Sequence, residues 1–344
     1  MNDHWQSFLA DFGGTVGATS KVTFPDMPAE AECALCALGE LGAIDIHGAE
    51  ATDFLQGQLS NDLRELSDSH AQLSSHCNAK GRMLANFRVL REGDGYRLIL
   101  PREQIATLLP RLKMFVLRAQ VSLSDRSDEL VCLGLVGECM AAVLTERFGS
   151  LPDSDNGVVR RSDTALIRIA GPLPRWLFVG PPSAAESLWR EAQTAGAARA
   201  ADDLWALQDI RAGIPTIDPA TRELFVPQMI NLHLIDGVSF HKGCYTGQEV
   251  VARMQYLGKL KRRMYVGEVA LAQPPAPGSR LDSASSQSSQ GAGTVVAAQQ
   301  NAAGRCELLA VAEIAAVEHA DLTLADTGTP VELQPPAYGF PPEV

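Results

Sequence analysis

The chain has 344 residues, 46% of them hydrophobic, and a formal net charge of −12. That length buries a substantial core and accommodates two or three domains, while the acidic balance excludes a broad surface for nucleic acid or an anionic membrane. A local basic strip such as Lys259 to Arg263 can still meet phosphates. No apolar run approaches the ~20 residues needed to cross a bilayer, and the opening MNDHWQSFLADFGGT has the marks of neither a secretory signal nor a transit peptide. The seven cysteines are odd in number and widely spread, which points to reduced thiols in a cytoplasmic compartment and to no structural disulfide.

Taken in order, GGTVGA at Gly13 to Ala18 is no phosphate loop, because no strand precedes it and Pro25 and Pro28 follow before any helix. Residues 1–30 are expected to be a loose leader. Cys33 and Cys36 form a CxxC pair in AEAECALCALGEL, where i, i+3 spacing shares a helix face and no second pair stands at zinc spacing, so core packing is expected. GAIDIHGAEATDFLQGQLSNDL then predicts a short strand, a turn and a helix with Ala51, Phe54, Leu55 and Leu59 on one face. Gln56, Gln58 and Asn61 fall on a solvated or hydrogen-bonded face.

SHCNAKGRMLANFRVLREGDGYRLILP alternates like paired strands, with a turn at Lys80-Gly81, a strand from Met83 to Leu90, a Gly93-Asp94-Gly95 turn and a strand from Tyr96 to Leu100. REQIATLLPRLKMFVLRAQVSLSD predicts a helix leading into a strand, and Leu130 to Val136 a further strand. Cys132 in that strand and Cys139 at the start of the next helix are expected in the core. A strand region from Arg168 to Val179 is interrupted by Pro172 and Pro174, and helices follow at Ala184 to Ala195 and Asp203 to Gly213. Strands, hairpins and helices without regular βαβ alternation make the fold class α+β. From Met264 the strand-like runs MYVGEVAL, TVVAA, LLAVAEI and PVEL are separated by PPAPG and by the flexible SASSQSSQGAG, and residues 334–344 read as a loose Pro-rich tail.

The chemistry concentrates in Lys242-Gly243-Cys244-Tyr245-Thr246-Gly247-Gln248-Glu249. Thr246 and Glu249 have capping-box spacing, and Val250, Val251, Met254 and Leu257 recur at helical spacing. A helix is therefore predicted from Gly247 to Leu257, stopped by a left-handed Gly258, with basic residues at its carbonyl end. Cys244 lies just ahead of that helix and two residues after an ammonium group, surroundings that favour a thiolate. Gly243 and Gly247 would let a ligand approach closely. Glu249 is expected to cap the helix, and Arg253 to pair with it or reach a ligand carboxylate. For His241 a structural role is expected, since nothing at metal-ligand spacing joins it.

KGCYTGQE followed by VVAR, with FVPQMINL at Phe225 to Leu232, FLQGQLSND at Phe54 to Asp62, CNAKGRML at Cys77 to Leu84 and LRAQV at Leu117 to Val121, resembles the YgfZ family of folate-binding iron-sulfur maturation proteins, relatives of the glycine-cleavage T-protein (an aminomethyltransferase). Arg211 and Gly213 also match, and the likeness spans about residues 35 to 320. The resemblance implies two interleaved α+β lobes over about residues 31–258, the inner one at about 67–159, and a C-terminal β-barrel at about 259–333, around a central channel. It implies tetrahydrofolate or a derivative near Lys242, Gly243, Tyr245, Gln248, Arg253, Gln56 and Asn61, with Cys244 as the reactive thiol. Cys244 could ligate iron transiently, exchange sulfur or quench an oxidant, and any iron-sulfur cluster would be shared, because such clusters normally take four ligands.

The implied partners are iron-sulfur assembly proteins and client iron-sulfur enzymes in the cytoplasm, including those that thiolate tRNA, with no membrane and with direct tRNA binding doubtful. The sequence departs from the T-protein where that enzyme has an acidic pair, here Ala85 and Asn86, which cannot serve as a carboxylate base or anchor. A maturation factor is therefore expected rather than a transferase, the alternative being a folate-dependent one-carbon transferase or demethylase.

Overall fold

The run Val131–Val136 is apolar at every position and buried throughout, as a central strand must be. In this computed structural model, which describes residues 1–289 and 291–341, it belongs to the first of two units. Met1–Phe54, Leu63–Gln72 and Arg88–Trp205 make up that unit, and Leu55–Asp62, Leu73–Phe87 and Ala206–Val344 the second. No helix among the described residues is long and apolar enough to cross a membrane.

A six-stranded sheet organises the first unit, in the order Val158–Arg161, Thr164–Ile169, Arg175–Gly180, Val131–Val136, Ala34–Ala37 and Ala198–Ala201. All neighbours are antiparallel except the last pair, which is parallel. Strands from before residue 67 and after residue 159 thus lie in one sheet with Val131–Val136, so the expected inner lobe at about 67–159 does not form a unit of its own. In a second sheet of this unit, Gly95–Pro101 pairs with both Leu41–His47 and the Arg88–Glu92 end of the preceding strand, as the Gly93-Asp94-Gly95 turn predicted.

Three expectations for this unit are corrected. The leader is not loose: Asp3–Asp11 is a helix capped by the Asn2 side chain, and its Trp5, Phe8 and Leu9 pack in the core with Leu188 and Trp189. The CxxC segment is the strand Ala34–Ala37 rather than a helix, because the short run ALCA is buried on both faces of a sheet. Cys33 and Cys139, expected as free core thiols, form a disulfide with Cα atoms 5.9 Å apart. Pairing Ala34 with Val136 brings the residue before one strand beside the helix that follows the other, a proximity that 106 residues of separation conceal.

The second unit ends in a six-stranded, nearly closed barrel, in the order Leu322–Leu324, Arg280–Ser283, Gly293–Gln300, Cys306–Glu313, Arg262–Val269 and Val331–Gln334. A bridge between Thr323 and Pro330 joins its two edges. Arg211 of the helix Asp202–Ala212 grips Glu307 of a barrel strand through two bonds of 2.8 and 2.6 Å. The Pro-rich tail, as far as it is described, is docked rather than loose. Tyr338 donates to the Gly213 carbonyl at 3.1 Å, and Phe340 meets Tyr265 edge to face at 5.3 Å. Gln290 in the Ser-rich hairpin loop and residues 342–344 of the tail lie outside the described residues.

With the bridge intact, a thiol reagent should titrate five free cysteines in the denatured, unreduced protein. Cys139→Ser should raise that count to six, by freeing Cys33, and cost about 2–4 kcal/mol of stability. Seven titrating thiols in the wild type would show that the bridge is absent.

Asp202 gives a pH dependence. Burial pushes its carboxyl up to about 7, while one oxygen accepts the Glu40 N–H at 3.1 Å. The folded state then holds a proton that the unfolded chain releases near ~4, so this group makes stability fall as pH rises from about 4 to about 7. Asp202→Asn keeps an acceptor for Glu40 and should flatten that fall, raising the unfolding midpoint at alkaline pH. An unchanged profile would mean that the folded carboxyl titrates normally.

Candidate functional site

In the second unit, two of the segments singled out in the sequence, the KGCYTGQE motif and Leu55–Asp62, meet at Lys242. Its side chain is 7% exposed, and its ammonium donates to the carbonyls of Gln56 at 3.0 Å, Leu59 at 2.6 Å and Asn61 at 2.8 Å. An ammonium has three donors, so one buried cation satisfies three backbone acceptors of the segment Leu55–Asp62. The Tyr245 ring lies 5.1 Å from Nζ, a cation–π contact, and burial pushes the Tyr245 phenol well above its usual range.

The carbonyls are held in turn by buried hydroxyls. Ser60 Oγ donates to the Gly237 carbonyl at 2.9 Å and accepts the Ser75 N–H at 2.8 Å, while the Ser239 N–H reaches the Ser60 carbonyl at 3.0 Å. Asn61 Nδ2 donates to the carbonyls of Leu73 at 2.9 Å and Asp236 at 2.6 Å, and Gln56 Nε2 to Asp62 at 2.6 Å. Gln56 and Asn61 therefore sit beside Lys242, but these polar groups face protein partners and build the wall of the site.

The motif helix runs over Gln248–Tyr256, close to its predicted span, but its start is made differently. Gly247 is the N-cap, left-handed at φ +86°, and no side chain caps the helix, so the Thr246/Glu249 capping box does not form. Instead the Thr246 N–H reaches the Gly57 carbonyl at 3.3 Å. A Cβ on Gly247 would lie 2.4 Å from the Asn78 carbonyl oxygen and 2.9 Å from the Gly81 Cα, so the CNAKG turn and the motif approach through paired glycines. Gly258 is not the left-handed stop; the C-cap is Leu257, whose N–H bonds the Arg253 carbonyl at 2.9 Å. Glu249 and Arg253 are both exposed, and Gln248 is half-buried.

Cys244 is exposed at the mouth of this arrangement, and a Cβ on Gly243 beside it would meet nothing within 4 Å. The cation expected to assist the thiol is buried on three carbonyls. Among the described residues Cys244 belongs to no group of three or more His, Cys, Asp or Glu side chains able to hold a metal. Asn86 donates to the Pro215 carbonyl at 2.7 Å and accepts the Ile217 N–H at 2.8 Å; neighbouring Ala85 is buried.

Residues that sequence reasoning left without a role are Gln228 and Asn231, within the FVPQMINL segment. Gln228 Nε2 donates to the Val251 carbonyl of the motif helix at 2.7 Å, and Asn231, left-handed at φ +58°, donates to the Met264 carbonyl at 2.8 Å. The only sequence signal was two amides in an otherwise apolar stretch. His233 nearby is neutral at physiological pH, because burial and then the Arg263 charge push its imidazole down to about 4. His241 is exposed.

Lys242→Met keeps the apolar stem but strips three buried carbonyls of their donor. It should cost about 2–4 kcal/mol in urea unfolding of the full chain. A loss below ~0.5 kcal/mol would mean that water replaces the ammonium without penalty.

No family profile matches the sequence. It is 32% identical over 293 residues to the tRNA-modifying protein YgfZ of Colwellia psychrerythraea, covering 85% of this chain and 89% of that one. It is 35% identical over 276 residues to the protein of the same name in Photorhabdus laumondii, covering 80% and 83%. The fold is that of aminomethyltransferase T of the glycine cleavage system from Bartonella henselae, with a TM-score of 0.74 over 96% of both chains at 13% identity. Identity above 30% sustained over four-fifths of the chain settles descent as the likeness of fold alone cannot: the chain belongs to the YgfZ family.

Proposed function

We propose that this protein is a cytoplasmic, folate-binding accessory factor that supports assembly or repair of iron-sulfur proteins, including tRNA-thiolating enzymes, with Cys244 as its reactive thiol. The observation that carries the proposal is an exposed cysteine on a loop fastened by Lys242 to three buried carbonyls, beside the open face of Gly243. A thiol that served only for packing would be buried, as Cys36, Cys77, Cys132 and Cys306 are. The relatives' name, tRNA-modifying protein, and the T-protein fold point the same way.

Tetrahydrofolate or a derivative is the proposed ligand. A flat pterin suits the open surface at Gly243, with Gln248 and Arg253 reachable from solvent and with Lys242, Gln56 and Asn61 forming the wall behind. When bound, the folate supplies a reduced pterin that can carry a one-carbon unit. An iron-sulfur cluster, as cargo, would take Cys244 as one ligand and its remaining ligands from assembly proteins or client enzymes. The one-carbon transferase reading is disfavoured by Ala85, which is apolar, and by Asn86, whose amide is bonded to backbone at both ends.

The test is the methylthio-nucleoside fraction of tRNA, measured by mass spectrometry in cells lacking the protein and resupplied with wild type or Cys244→Ala. Only the wild type should restore it. Equal rescue by Cys244→Ala would remove the thiol from the mechanism. If neither version has any effect, while the protein forms methylene-tetrahydrofolate from tetrahydrofolate and an aminomethyl donor with release of ammonia, the transferase reading replaces this one.

A further inference from the structure

From Val250 to Gly267 the chain carries five cations, Arg253, Lys259, Lys261, Arg262 and Arg263, and no carboxylate, in a protein of net charge −12. Arg262 is tied to Glu313 of the barrel at 2.8 Å. Arg253, Lys259 and Lys261 are exposed. Positive charge gathered at one helix end of an acidic molecule is a local attractor for polyanions.

At the same helix end Tyr256 is 63% exposed, and Phe240 braces its ring edge to face at 6.2 Å. An exposed, braced ring among cations is a stacking platform for a base. Beside it lies a cavity of about 430 Å³ lined by Gln228, Asn231, His233, Met254, Lys259 and Arg263 among others, a size that admits a nucleotide.

The buried part of that lining is polar. Gln228 and Asn231 are 2% and 0% exposed, and their amide nitrogens are committed to the Val251 and Met264 carbonyls. That fixes Gln228 Oε1 and Asn231 Oδ1 as acceptors, and neither has a hydrogen-bond partner among the described residues. Both oxygens are sealed from solvent, so the ligand chemistry is set by the rim, where Lys259 and Arg263 call for negative charge such as a nucleotide's phosphate.

We propose that the carboxyl end of the helix Gln248–Tyr256, with the segment at 257–263, binds single-stranded RNA: Tyr256 stacks one base, Arg253, Lys259 and Lys261 meet phosphates, and the cavity receives a neighbouring nucleotide. The site shares Arg253 with the proposed folate surface and does not otherwise depend on that reading.

Fluorescence anisotropy of a labelled single-stranded RNA of about 12 nucleotides, on the full chain at about 50 and 200 mM salt, tests this. Tyr256→Ala should weaken binding by about 10-fold or more, and Lys259→Gln with Lys261→Gln should reduce the salt slope by about 1.4. All three side chains are exposed, so the variants should keep wild-type circular dichroism and wild-type tetrahydrofolate binding. Absence of RNA binding at the lower salt overturns the proposal, as does binding indifferent to both variants. Binding of adenosine or guanosine monophosphate without binding of the RNA would assign the site to a free nucleotide and overturn it. Competition by polyglutamate as effective as by unlabelled RNA would overturn it in favour of an acidic protein segment.

Discussion

A buried ammonium on three carbonyls governs the functional unit. Withdrawing the Lys242 charge from water costs several kcal/mol, which the three bonds to Gln56, Leu59 and Asn61 and the Tyr245 ring help to offset. The two segments it joins, 181 to 186 residues apart in sequence, therefore move as one piece or not at all. Because the acceptors are backbone groups, the demand on the partner segment is for its path, which the Ser60 and Asn61 hydrogen bonds maintain.

Rigidity on the inner side of the motif is what makes its outer side useful. Lys242 points its charge into the protein and Tyr245 covers it, while Cys244 between them is exposed. In the proposed role, a thiol that meets a partner's metal or sulfur gains from a loop with few alternative conformations, since less entropy is lost on docking. Gly247 extends the same economy to the helix, because its left-handed turn lets the motif pass within contact of the CNAKG turn.

The motif helix is nine residues, about 13 Å, and its two ends have opposite characters. Its amino end follows the exposed thiol, and its carboxyl end carries exposed cations and an exposed ring. Gln228 fastens the helix between them by its Val251 carbonyl. One short element thus presents two chemistries at a fixed spacing in a molecule whose overall charge would otherwise repel a polyanion.

Much of this was legible from the residues. The hairpin around Gly93-Asp94-Gly95, the helices containing Trp189 and Arg211, four of the six strands of the barrel and the motif helix follow from periodicity and turn chemistry, which are local properties, while the short strands Arg280–Ser283 and Leu322–Leu324 do not. The ordered motifs sufficed to indicate the family. What the sequence could not determine depends on distant segments meeting. ALCA is short and uniformly apolar, so it fits a strand or a helix until a sheet surrounds it. Cys33 and Cys139 pair because two strands align their ends, and the leader is ordered because Trp5 and Phe8 find Trp189. Above all, the sequence placed a cation two residues from a cysteine and suggested that one assists the other, whereas the fold offers that cation three carbonyls in a buried site. The residues available were set by the sequence; which partner each one takes was decided by tertiary structure, since hydrogen-bond and ion partners are chosen by proximity in space and by the cost of leaving a buried group unpaired.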